Sequence, residues 1–278
     1  MYFSGIADEA HEDIDRQIEA HQELGWKHIE LRNINGVCVT DLCDETFDRV
    51  VQKVTDAGLG VSCFASQLCN WSRPITTHPD IDRNELKRAI PRMRRLGCKY
   101  IRMMSYPNVD WADEDWRDEV IRRVKDLATI AENGGVTLVH ENCDGWAGQG
   151  PEQSLEFIEE VDSPNLKLLW DTGNPVQHGQ APWDFYSKIK EHVAYVHIKD
   201  ARRDESGEIT YTMCGDGDGM VDQVLEDLID RGYDGAVSIE PHVAAVIHEG
   251  KKAADEEEAF QRYIVYGRRL VQLVDRLQ

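Results

Sequence analysis

Short runs of apolar and β-branched residues alternate along the whole chain with longer, charged stretches in which apolar positions recur every three or four residues. Runs of the first kind read as buried parallel strands, and stretches of the second kind as amphipathic helices packed over them. Strands are expected at Tyr2–Ile6, His28–Leu31, Gly60–Ala65, Tyr100–Met104, Val136–Val139, Leu166–Trp170, Ala194–Ile198 and Ala236–Ile239.

Helical spacing follows in Ile14, Ile18, His21 and Leu24, in Phe47, Val50, Val51 and Val54, and in Ile90, Met93 and Leu96. It recurs in Val120, Val124, Leu127 and Ala131 and in Val224, Leu225, Leu228 and Ile229. These five patterns close at Gly25, Gly58, Gly97, Gly134 and Gly232, where a left-handed residue is needed to end a helix. Each glycine stands shortly before a strand, so the turns from helix to strand are tight. The loops after strands are longer and rich in Trp, Asn, Asp and His, as the catalytic face of a barrel is. The pattern predicts one (β/α)8 TIM barrel domain over residues 1–278 rather than a doubly wound open sheet. The acidic, Ala-rich segment from Val243 to Glu258 is expected to be a loop before a final helix ending at Gln278.

The length of 278 residues suits such a barrel, with a core large enough to need no disulfides. Seven scattered cysteines without CxxC pairs read as reduced thiols, and the acidic N-terminus does not resemble a secretory signal, so a cytoplasmic protein is expected. No run approaches the roughly eighteen apolar residues of a membrane span. A net charge of −21 argues against nucleic-acid partners and reads as a well-solvated surface, with adaptation to high salt as the sharper alternative.

Four successive strand ends carry ligand-type side chains. VTLVHEN places Glu141 just past the fifth strand, LKLLWDTGN places Asp171 past the sixth, AYVHIKD places His197 within the seventh, and AVSIEPH places Glu240 at the end of the eighth. Adjacent barrel strands deliver such residues to one central mouth. Three carboxylates with one imidazole suit Mn2+, Mg2+ or Co2+ better than a closed zinc site, although Zn2+ remains chemically admissible. Taken singly, Asp171 also reads as an Asx-turn residue before Gly173, and His197 as a hydrogen-bonded core histidine.

HEN, DTGN, HVAYVHIKD, GDGDGMVD and SIEPH, in that order and with the earlier IELR, resemble the xylose-isomerase-like barrels of sugar-phosphate isomerases and epimerases over essentially the whole chain. The resemblance implies the same four metal ligands, usually around manganese, and a small carbohydrate substrate. In the ketose 3-epimerases of that family the glutamates matching Glu141 and Glu240 also form the acid/base pair. Family members often form dimers or tetramers, so a homo-oligomer is an expectation from the resemblance alone. The chain departs from several family members in carrying Asn174 where they have a histidine three residues after the ligand aspartate. His178 lies four residues further on, as a replacement or as a plain loop histidine. The Gly-rich GDGDGMVD run lacks the Walker ending and the EF-hand spacing, and reads as a loop leading into a helix capped near Asp222.

Further candidates for substrate contact are Glu30, Arg32, His140, Asn142, Lys199, Arg202 and His242, with Trp71 and Trp146 as rim aromatics. Ion pairs with Asp200 or Asp204 are the structural alternative for Lys199 and Arg202. The expected activity is a metal-dependent isomerase or epimerase of a sugar, sugar phosphate or sugar acid, beginning with proton abstraction beside a carbonyl. A lyase or dehydratase on a keto-cyclitol, dehydroshikimate or a 3-keto-glycoside starts the same way and is the alternative. A non-catalytic sugar-binding barrel is more remote. DNA repair on the same barrel is disfavoured by the charge and by the single histidine among the four ligands.

Overall fold

The computed structural model describes residues 1–243 and 255–278. Eight parallel strands form one sheet: β1 (Tyr2–Gly5), β2 (His28–Leu31), β3 (Gly60–Leu68), β4 (Tyr100–Ser105), β5 (Thr137–Gly145), β6 (Leu166–Asp171), β7 (Val193–Ile198) and β8 (Ala236–Ile239). Their spatial order is β1-β8-β7-β6-β5-β4-β3-β2. A single parallel bridge between Ile6 and Glu30 brings β2 back against the end of β1, so the barrel is nearly closed. Side chains reinforce that seam: Arg32 Nε lies 2.9 Å from Asp8 Oδ1, and Asn33 donates to Asp8 Oδ2 at 2.6 Å.

Among the described residues, eight helices longer than a single turn cover the strands: α1 (Ile14–Glu23), α2 (Asp44–Asp56), α3 (Asp80–Arg95), α4 (Asp113–Gly134), α5 (Pro151–Val161), α6 (Pro182–Ile189), α7 (Val221–Asp230) and α8 (Glu256–Leu277). The inward face of α4 shows why they form. Val120, Val124, Leu127 and Ala131 recur at helical spacing and are buried, while acids occupy the first turn where the helix dipole favours them. Each fully buried aliphatic side chain of this kind contributes about 1.5–3 kcal/mol of burial free energy.

The expected glycine stops hold at Gly25, Gly58, Gly97 and Gly232, all left-handed, but α4 stops one residue later than expected. Gly135 is its left-handed residue (φ 68°), and Gly134 is the last helical one. A Cβ at Gly134 would sit 2.6 Å from the Ile90 side chain, so this glycine permits close approach of α3 and α4. Strand β5 also outruns its expected end, through to Gly145, because its pairing with β4 resumes beyond a bulge at Ser105 and Gly145. Two short antiparallel hairpins, Asn33–Ile34 with Val37–Cys38 and Ala201–Arg203 with Ile209–Tyr211, were not foreseen. Of the expected loop from Val243 to Glu258, residues 244–254 lie outside the described residues, and α8 already begins at Glu256.

Residues two apart on a strand share a face, and this sorts the barrel interior into layers. Val139, Leu169, Tyr195 and Ala236 pack together inside the barrel with Cys63. Two residues further along the same strands come Glu141, Asp171, His197 and Ser238, with Glu240 two beyond Ser238. An apolar floor thus underlies a polar layer at the C-terminal mouth.

Candidate functional site

Glu141, Asp171, His197 and Glu240 offer ligand atoms that all lie within 4.8 Å of one another, and all four side chains are buried. Asp171 and His197 are partners in the β6–β7 register, and Ser238 pairs with His197 on the other side. His197 Nδ1 is 3.3 Å from Glu141 Oε1, 3.8 Å from Glu240 Oε2 and 4.0 Å from Asp171 Oδ2. Its other nitrogen, Nε2, lies 3.1 and 3.2 Å from the two oxygens of Glu30.

The two oxygens of Asp171 face different partners. Oδ1 accepts from the backbone N–H groups of Gly173 (2.8 Å) and Asn174 (2.7 Å), an Asx-type turn. Oδ2 is left facing the cluster, where it accepts no hydrogen bond and has Lys199 Nζ 3.1 Å away. Glu141 Oε2 is likewise buried without a hydrogen bond. Two orphaned carboxylate oxygens, an inward imidazole nitrogen and the Glu240 carboxylate form a donor set that fits a divalent cation with hard ligands.

Buried cations surround these acids. Lys199 Nζ is 3.0 Å from Glu240 Oε2, Arg32 Nη1 is 3.0 Å from Glu240 Oε1, and Arg102 Nη1 is 3.4 Å from Glu141 Oε2. Burial pushes the Glu141 carboxyl up, but Arg102 and His197 outweigh it and hold the pKa at about 2. Burial likewise opposes ionisation of Glu240, and Lys199 leads the charges that keep it well below the usual carboxylate range. Asp171 goes the other way, raised to about 6 by burial, against the pull of Lys199 and with the help of its acidic neighbours. For His197 burial lowers the pKa, yet Glu30 and Glu141 raise it to about 10.

The remaining sequence candidates separate into two groups. Asn142, Asn174, Lys199, Arg32, Glu30 and His242 lie against the four central residues. Asn142 bonds the Asp171 backbone, Asn174 Nδ2 donates to Glu141 Oε1 at 3.4 Å, and His242 Nε2 is 3.9 Å from Glu240 Oε1. The others lie elsewhere. His140 points out of the barrel, bonded to Ser105 Oγ and packed on Phe157, because alternation along β5 turns it away from Glu141. Trp146 is buried in the layer between strands and helices, and Arg202 is exposed on the hairpin after β7. Trp71 is 40 % exposed after β3, and His178 lines a rim cavity of about 390 Å³ with Asp144, Cys143 and Gln149.

Sequence reasoning missed Arg102, although its place two residues after Tyr100 on an apolar strand marks it as inward-facing. It also missed Asp8 and Glu9, which hold Arg32. Asp200 pairs with neither Lys199 nor Arg202; its carboxylate instead accepts the N–H groups of Gly215, Gly217 and Gly219, each at 2.9 Å. The helix that follows starts near Asp222, as expected. Met220 is its N-cap residue, in the left-handed region (φ 55°), and Asp222 lies within the first turn.

The sequence profile of the family described as xylose isomerase-like TIM barrel matches residues 8–263. The chain belongs to that family. It is 25% identical over 142 residues to an inosose dehydratase of Clostridium perfringens, covering 46% of this chain and 48% of that one. It is 26% identical over 174 residues to a 2-epi-5-epi-valiolone 7-phosphate 2-epimerase of an Actinoplanes species, covering 62% and 61%. The chain thus spans between about half and three-fifths of the length of these curated relatives. Among solved structures, the IOLI protein with a bound zinc atom superposes with a TM-score of 0.76 at 17% identity, over 100% of this chain and 99% of that one. The relatives are enzymes, and the family includes both epimerases and dehydratases. No helix among the described residues is long and apolar enough to cross a membrane.

Proposed function

We propose that the chain is a divalent-metal-dependent isomerase or epimerase of a small carbohydrate, with Glu141 and Glu240 as its proton-transferring pair. The observation that carries this reading is the convergence of Glu141, Asp171, His197 and Glu240 at the barrel mouth. Held by these four residues, a divalent cation, Mn2+ first by its preference for oxygen with one nitrogen, supplies Lewis-acid polarisation of a carbonyl. The bound zinc atom in the IOLI structure supports a metal on a barrel of this fold, and Mg2+ and Co2+ share the ligand preference.

Glu141, kept ionised by Arg102, is the base for a proton on the carbon next to a carbonyl. Glu240, across the mouth and kept ionised by Lys199, takes or returns a proton at the other face or at the neighbouring carbon. Lys199 and Arg102 also place positive charge where an enediolate would develop. Asn174 and Asn142 keep Glu141 and Asp171 in place. The free thiols of all seven cysteines support a cytoplasmic location.

A second reading is favoured by the inosose dehydratase relatives: loss of water from a keto-cyclitol after the same first step. Incubation of metal-loaded protein in D2O with a panel of ketoses and keto-cyclitols, followed by NMR, separates the two. Deuterium incorporation with inversion or carbonyl migration is expected, and loss of water establishes the second reading. A metal-loaded protein that exchanges no proton on any substrate overturns both.

A further inference from the structure

We propose that Glu30 is a positioning residue that fixes the tautomer and ring orientation of His197, and so sets how strongly the centre holds its metal; this rests on the metal-centre reading above. Glu30 is fully buried on β2, with its carboxylate on the far side of His197 from Glu141, Asp171 and Glu240.

The hydrogen bonds around Glu30 fix which nitrogen of His197 keeps its proton when a metal is held. Glu30 Oε2 accepts from the hydroxyls of Tyr195 (2.7 Å) and Ser238 (2.6 Å). An oxygen that takes two hydroxyl donors acts as a carboxylate acceptor. His197 Nε2, at 3.1 and 3.2 Å from the two oxygens, is therefore the donor. When Nδ1 gives up its proton to a bound cation, the proton held on Nε2 by Glu30 stays, and the lone pair at Nδ1 faces the other three ligands. A carboxylate behind a ligating histidine also raises the basicity of the ligating nitrogen.

The strand register shows how Glu30 reaches that point. β1 and β8 stand between β2 and β7 in the sheet. Their residues in the His197 layer are Ser4 and Ser238, paired with each other and, through Ser238, with His197. Two small side chains leave the barrel interior open for a glutamate to cross it. The hydroxyl chain continues from Tyr195 to Ser62 (2.8 Å) and from Ser62 to Ser4 (2.7 Å), so the carboxylate is held by a connected network. A residue that merely filled the barrel would need no such set of donors around one oxygen.

Mn2+ affinity measured by calorimetry, and the visible absorption of the Co2+-loaded protein, test the role without requiring turnover. Glu30→Gln is expected to weaken Mn2+ binding by about 10–100-fold with an unchanged circular dichroism spectrum. Tyr195→Phe and Ser238→Ala, which loosen Glu30 and leave its charge, are expected to weaken binding roughly threefold or more and to shift the Co2+ bands. These two variants decide the matter if Glu30→Gln does not fold. Wild-type affinity and bands in Tyr195→Phe and Ser238→Ala, or wild-type affinity in a folded Glu30→Gln, overturn the proposal. His197→Ala separates the two levels. Weak binding there with intact binding in Glu30→Gln removes the positioning role alone. Undiminished binding in His197→Ala, or none in the wild type, removes the metal-centre reading and this inference with it.

Discussion

The side-chain amide of Asn142 pairs with the backbone of Asp171 as a neighbouring strand would, accepting from its N–H at 2.6 Å and donating to its carbonyl at 3.0 Å. Asn142→Ala leaves a buried N–H and a buried C=O without partners, each costing about 1–3 kcal/mol. Urea unfolding should show a loss of about 2–4 kcal/mol on that basis, and Mn2+ affinity should fall with it. Stability within experimental error of the wild type would show that the strand end holds its shape without this clamp.

Glu141→Gln and Glu240→Gln should each reduce turnover by at least about 10²–10⁴-fold, the usual contribution of a positioned proton carrier. The two variants should differ in which exchange they retain. A single-turnover experiment in D2O reads deuterium entering or leaving from each face, and full activity in either variant removes the acid/base assignment.

Asp200→Ala should loosen the Gly-rich loop after the hairpin. Its carboxylate gathers the N–H groups of Gly215, Gly217 and Gly219 and that of Ala201. A Cβ at Gly217 or Gly219 would come within 2.2 or 2.9 Å of Asp200 Oδ1, which is why glycine recurs in that run. Amide hydrogen exchange of residues 215–219 should accelerate at least tenfold, since losing even one such bond to a charged acceptor costs about 1.5–3 kcal/mol. Unchanged protection would place the loop's order elsewhere.

Stability should fall as pH drops through the range in which buried histidines must charge. His21, bonded to Gln17 O at 2.8 Å and close to Tyr263, has its pKa pushed down to about 4 by burial. A group whose folded pKa lies below its unfolded value contributes stability that is complete above about pH 6.5 and is lost as pH falls toward 4. The slope is about 1.4 kcal/mol per pH unit for each such group. His21→Gln should therefore unfold with a shallower pH dependence between about pH 4.5 and 6 than the wild type. Urea midpoints across that range measure it, and parallel curves would reject it.

Much of the barrel was legible because each βα unit carries its own punctuation. Apolar runs mark the strands, helical spacing marks the covers, and Gly25, Gly58, Gly97 and Gly232 mark the turns below. What escaped depends on partners distant in sequence. Arg102 reads as an ordinary charge until β5 and β8 bring Glu141 and Glu240 to it, and Asp200 reads as an ion-pair partner until three glycine amides close on it. His140 and Trp146 were candidates by proximity to Glu141 and to the mouth, but strand alternation and core packing turn both away. The placement of the four central residues followed from their strand ends. Which side chains would surround them did not, since a strand pattern carries no information about what crosses the barrel.

The seam between β1 and β2 has one backbone bridge, and the Arg32 guanidinium on Asp8 and Glu9 fastens it further. That guanidinium also reaches Glu240. The ring is therefore buckled by the same cation that grips a residue of the acidic cluster at the mouth. If Glu240 carries protons as proposed, each change in its charge is felt at the clasp of the barrel, and the joint that finishes the architecture shares a cation with the site.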